Sequence, residues 1–239
     1  MTASRSTNQK FSIINRETKL IAELVTSGLE NIRKVQLNEA FFYQSFYTMS
    51  MGLERLMKLI VHIEQPATNP FKLGHNLEDL SKFLNIGFPT DSIENNIIIF
   101  LSAFAKGDRY TIVDFLYHGD STRLAKEPIV YFYINILSII LQLHPPKKNI
   151  ALPDLSDVSY VLSIKEDLTE IQNLTNLMEH NQLIEHGAKY CAMYMGRVLK
   201  PFVERLVAHD GNPNPHFSEH FKFLFFKDEY FLTRKTYRG

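Results

Sequence analysis

The sequence predicts an all-α helical bundle, and three observations carry that expectation. Apolar residues recur every three or four positions along most of the chain, while the strict alternation of a half-buried strand is hard to find. Capping signals stand directly before apolar runs: Asn76 with Asp79 three residues on, Asp91-Ser92-Ile93-Glu94, and Ser163-Ile164-Lys165-Glu166. Breakers such as Pro66, Gly107 and Pro145-Pro146 fall where the runs end.

Each element follows in order. Leu20, Ile21, Leu24, Val25, Leu29 and Ile32 share one face of a first helix, which occupies 1–36. Phe42, Phe46, Met49, Leu53, Leu56, Ile60 and Ile63 mark a second, longer helix that ends before Pro66. Asn76 caps a third that fades at Asn85 and Gly87, its acidic first turn facing the helix dipole. Ser92 starts a fourth through Ile97, Leu101 and Phe104, ended by Gly107; Asp108 to Thr122 reads as a loop. The apolar run Ile129–Leu143 reads as a buried helix, and the Asp- and Ser-rich stretch around Pro153 as the joint of the chain.

From Ser163 a near-heptad register continues to Phe202. One helix from Ser163 to Ala208 would reach about 69 Å at 1.5 Å per residue, so a break is expected near Asn181–Gly187, with a kink at Pro201. Ala188, Ala192 and Gly196 form a small-residue ridge, either an internal contact or a dimer seam. Phe217, Phe221, Leu224 and Phe225 fit a last helix, followed by a basic tail. The organisation is an N-terminal helix (1–36), a helical core (37–145) and a C-terminal helical region (146–239) packed on it as one unit.

Composition narrows the function classes. At 239 residues, 45% hydrophobic and 22% charged, the chain is neither disordered nor fibrous. Lys+Arg 26 balance Asp+Glu 26, so no global field advertises a nucleic acid or a membrane surface. The single cysteine, Cys191, excludes a disulfide framework and points to a reducing compartment. The residues Met1 to Lys10 lack the apolar core of a secretory signal, and the 15-residue run Ile129–Leu143 is short of the roughly 20 needed to span a bilayer. A cytoplasmic protein with no membrane partner is the expectation.

The sharpest candidate for chemistry is Arg55 with His62. Seven residues turn a helix through about 700°, so both side chains share a face. A guanidinium fork holds a phosphate, and an imidazole passes protons at neutral pH; across a symmetric homodimer the pair could cleave RNA with no metal or other cofactor. The competing reading makes Glu54, Arg55, Lys58 and His62 the solvated side of an amphipathic helix, with Glu54 and Lys58 as an i,i+4 ion pair.

The ordered set Gly52-Leu53-Glu54-Arg55-Leu56-Met57-Lys58, Gly74-His75-Asn76-Leu77-Glu78-Asp79-Leu80 and Ala105-Lys106-Gly107-Asp108-Arg109-Tyr110 resembles the HEPN superfamily over roughly Leu37 to Leu143. The resemblance implies a small helical bundle over that stretch, to which the additional C-terminal helices are a part it does not explain. It also implies a role as a metal-independent ribonuclease or toxin in phage defence or growth arrest, or as a non-catalytic module that binds nucleotide, RNA or protein; the neutral charge and the small-residue ridge favour a scaffold as a further reading. Nuclease members carry Arg, four to six residues, then His, usually on a late helix. Here Arg55-x6-His62 lies on an early helix, and the late Glu204-Arg205-Leu206-Val207-Ala208-His209 has its Arg one residue too close.

Lys58, His75, Asn76, Arg109 and Tyr110 are the accompanying candidates for phosphate or ligand contact; as structural residues, His75 seals a helix entrance and Arg109 caps helix-end carbonyls. No metal is expected, the weak alternative being His209, His216 and His220, with His216 and His220 at i,i+4. Cys191 reads as an inert core thiol. The aromatic clusters Phe41–Tyr43, Phe46 and Tyr47, and Tyr131–Tyr133, either stack bases or fill the core.

Overall fold

The 3.6-residue apolar spacing becomes helix wherever a cap and a partner face are both present. A computed structural model describes residues 2–35, 40–107, 127–146, 171–211 and 213–237, with side chains from 8 in the first helix and from 181 in the longest. Every regular element among the described residues is helical, so the fold is all-α.

Helix α1 (Thr2–Lys34) packs along α2 (Ala40–Glu64). The two approach closely because Gly28 and Gly52 present no side chains: a Cβ on Gly52 would stand 2.6 Å from Val25 Cγ1. The Ser45 hydroxyl donates to the Gly28 carbonyl at 2.8 Å in the same buried seam. A 3₁₀ turn (Pro70–Leu73) leads to α3 (Leu77–Phe83), where Asn76 Oδ1 accepts from the Glu78 amide at 3.1 Å. In α4 (Ile93–Lys106) the Ser92 hydroxyl accepts from the Asn95 amide and Gly107 closes the C-terminus. These caps match the sequence expectation, because capping is decided within four residues.

The apolar run after Glu127 forms α5 (Pro128–Phe132), a π-helical stretch (Tyr133–Leu137) and α6 (Ser138–Leu143) without interruption. Its polar interruptions turn inward on the backbone: Asn135 donates to the Tyr131 carbonyl and Ser138 to that of Ile134. Such a run stops short of a membrane span, and no described helix is long and apolar enough to cross one.

Helix α7 (Ile171–Val207) corrects the expected break. It runs unbroken through Asn181–Gly187 and through Pro201, about 55 Å at 1.5 Å per residue. Gly187 is a contact and not a stop: its missing side chain makes room for Leu137, with Leu141 Cδ2 3.5 Å from where a Cβ would stand. The final expected helix is also corrected. Phe217–Glu219 and Lys222–Phe225 are separate 3₁₀ turns, followed by α8 (Asp228–Thr233). Asp210 accepts from the Phe217 and Ser218 amides and starts the first turn. Phe217, Phe221, Phe223 and Leu224 are all buried, too many directions for one helical face, and Phe225 stays 45% exposed.

One hydrophobic core joins α1 to α7 and the C-terminal segment. The ridge Ala188, Ala192 and Gly196 is buried, Gly196 covered by the Phe231 ring, so the ridge is an internal contact. The loop Asp108–Thr122, the joint around Pro153 and the Ser163 cap lie outside the described residues.

Candidate functional site

Arg55 leaves the middle of α2 and meets Glu17 of α1. Its Nε donates to Oε1 at 2.7 Å and its Nη2 to Oε2 at 2.6 Å, a two-point bridge with the Arg55 side chain 38% exposed. The expectation of a free cation projecting into water is therefore corrected: a carboxylate already fills the fork. His62, two turns on, is exposed and has no hydrogen-bond partner among the described residues. The shared face thus presents one tethered group and one solvated one.

Lys58 and His75 converge on Glu54. Lys58 Nζ donates to Glu54 Oε1 at 2.8 Å and His75 Nδ1 to the same oxygen at 2.9 Å. Glu54 is only 18% exposed, whereas His75 is 73% exposed, so the carboxylate organises the cluster. Asn76 is occupied structurally: besides capping α3 it donates to Asp79 at 2.5 Å and accepts from the Ser102 hydroxyl at 2.7 Å. Arg109 and Tyr110 lie outside the described residues.

The late motif on α7 closes on the end of α2. Arg205 grips Glu64 through Nε at 2.7 Å and Nη2 at 2.6 Å, and its Nη1 donates to the Leu84 carbonyl. His209 donates to Glu64 at 3.2 Å. The Arg205 hydrogen bonds, against the opposing effect of burial and with help from His209, hold the Glu64 carboxyl below its ordinary range. Arg205 in the last turn of α7 and His209 in the turn that follows it therefore form a clamp on the end of α2. The three-histidine alternative is corrected as well: His209 goes to Glu64, and His220 donates to Asn15 Oδ1 at 3.0 Å. His216 and His220 flank a 3₁₀ turn and not one α-helical face, and no group of metal-ligating side chains assembles among the described residues. Cys191 is fully buried, and burial pushes its thiol far above its ordinary value, out of reach of nucleophilic use.

The polar cluster that sequence reasoning missed lies where α6 ends on α7. His144 stacks on Tyr190, ring centroids 4.0 Å apart and planes within 7°, and its Nε2 lies 3.0 Å from the Tyr194 hydroxyl. His186 donates to the His144 carbonyl at 2.8 Å. Arg197 sits over the Tyr194 ring at 5.0 Å and bridges to Asp228 at 2.6 Å and Glu94 at 3.6 Å. The legible signal was the spacing of His186, Tyr190, Tyr194 and Arg197, four, four and three apart on one face of α7.

Burial, with Arg197 and His186 adding repulsion, holds His144 below the ordinary imidazole value; Asp228 and Glu94 pair with Arg197 instead. The unfolded chain then binds more protons between the ordinary value near 6.5 and the lower folded one, so stability is full above that window and is lost as pH falls through it. Urea midpoints measured from pH 7.5 to pH 5 should fall more steeply for the wild type than for His144→Gln; parallel lines would remove the effect. Compared with protein families, curated proteins and solved structures, the chain matches none.

Proposed function

We propose that this chain is a HEPN-like helical protein that works by binding a protein partner and does not cut RNA. The carrying observation is the two-point Arg55–Glu17 bridge, which takes the Nε–Nη2 edge of the guanidinium and sets a carboxylate charge against it where a scissile phosphate would have to bind. The surrounding cations support the same reading. Lys58 and His75 are held by Glu54, and Arg205 and His209 by Glu64, so each carries a local counter-charge. A phosphate backbone draws its affinity from displacing counterions around accessible cations, and paired ones offer little. Large apolar side chains stand in solvent instead: Phe71 is 86% exposed, Ile13 61% and Phe226 51%. Exposed aromatic side chains serve protein interfaces better than phosphate. A second copy of the chain is one such partner, and it would dock away from the ridge that α7 uses internally.

Purified protein incubated with labelled single-stranded RNA should leave it uncut and unretained at 50 mM salt, and cells expressing it should grow normally. Cleaved ends that vanish with His62→Ala would overturn the reading. Photo-cross-linking from p-benzoylphenylalanine at Phe71 in producing cells should give an adduct that protease removes and ribonuclease does not. An adduct lost to ribonuclease would equally overturn it.

A further inference from the structure

An exposed stretch, Thr233 to Thr236, ends in a side chain with no solvent access at all, Tyr237. Its ring sits among Phe223, Tyr230 and Phe231, at centroid distances of 6.5, 6.0 and 5.5 Å. Its hydroxyl donates to the Phe231 carbonyl at 3.2 Å, and its backbone amide donates to Glu30 Oε1 of α1 at 3.2 Å. Three residues earlier, Arg234 lies over the Tyr230 ring at 5.7 Å. Beneath the segment, Arg33 is 7% exposed, reaches the Leu232 carbonyl at 3.5 Å and leaves its buried Nε without a hydrogen-bond partner among the described residues.

An aromatic anchor in a preformed socket, a carboxylate on the anchor's amide and a cation stacked nearby are how a folded surface reads an extended peptide. Beside the socket an open cleft of about 690 Å³ runs between α1 and the C-terminal turns. Lys19, Glu23 and Glu30 line one wall, Glu219, His220 and Lys222 the other, so the lining is of mixed charge, and Tyr237 borders it. That volume is in the range of specific binding sites.

We infer that the socket and cleft together form a receptor groove for an extended, tyrosine-anchored peptide of the kind the internal segment 233–237 supplies, and that Tyr237 fills its anchor position in cis. This rests on the protein-binding reading above and names the class of partner. Withdrawal of Tyr237 exchanges the internal segment for one of like chemistry on a partner chain, so the internal segment sets the threshold for binding.

The test uses the full chain carrying Tyr237→Ala and a fluorescein-labelled peptide Thr-Arg-Lys-Thr-Tyr-Arg-Gly. The variant should bind the peptide at least tenfold more tightly than the wild type, whose socket is filled. Replacing the peptide's tyrosine by alanine, or adding Glu30→Gln to the protein, should abolish the gain. A folded Tyr237→Ala protein that binds no peptide would sink the proposal. Hydrogen exchange on the wild type decides the matter should that variant not fold: the Tyr237 amide should exchange at least 100-fold faster than the amide of Cys191. Exchange of both at one rate would make Tyr237 ordinary core. RNA cleavage bears only on the earlier reading, so the two failures are told apart.

Discussion

Truncating Phe46 to alanine should destabilise the protein by about 3–5 kcal/mol, the range for removing a fully buried aromatic ring. Phe46 has no exposed surface, and its ring lies 4.6 Å from Phe100, 5.0 Å from Phe132, 5.7 Å from Phe104 and 5.8 Å from Phe42. The ring therefore ties α2 to α4 and α5 at once, and no single neighbour can close the space it leaves. For a chain of this size the loss corresponds to a fall in Tm of roughly 10 °C. Thermal unfolding by circular dichroism checks it, and a fall under about 3 °C would contradict the packing. The result also bears on the two uses of the aromatic clusters, for the rings packed around Phe46. Phe42, Phe46, Phe100 and Phe132 are core and have no face to offer a base, whereas Tyr47 of the same cluster stays 46% exposed.

What was legible in the sequence was what short stretches of chain decide. The Asn76 and Ser92 caps and the Gly107 stop each depend on a handful of neighbouring residues, and each is where the sequence put it. What was not legible depended on which surfaces meet. Gly187 reads as a helix breaker until Leu137 occupies the space beside it, and only the packing of α6 and the π-helical stretch on α7 reveals that. The Arg55 face failed for the same reason. Its partner Glu17 is 38 residues away on α1, and nothing in either helix alone says how the two slide past one another. Periodicity places Arg55 at the edge of the apolar stripe of α2, which is where a guanidinium reaches a neighbouring helix as readily as it reaches water. The clamp on Glu64 repeats the lesson over 141 residues. The late Arg205 and His209 have one carboxylate between them, so they hold two helix ends together.

Gly196→Leu should destabilise by about 2 kcal/mol net, a loss of about 3 from overpacking offset by a little under 1 from better helix propensity. A Cβ at this position would lie 2.7 Å from Phe231 Cζ, 2.9 Å from Cε1 and 3.2 Å from Cε2, so it meets the ring itself. A rotamer change does not relieve that contact, because Phe231 is 3% exposed and wedged against Tyr230 and Tyr237. The ring must move away from α7, and Phe231 supplies both a wall of the Tyr237 socket and the carbonyl that holds its hydroxyl. Damage should therefore concentrate on 231–237: amide exchange there should rise at least tenfold, while α1 and α2 lose only the protection that global destabilisation removes. A dimer seam at Ala188, Ala192 and Gly196 would answer differently, with a lower mass by sedimentation and unchanged exchange in the C-terminal segment. The burial of all three residues inside the bundle argues that mass stays constant and the aromatic socket opens.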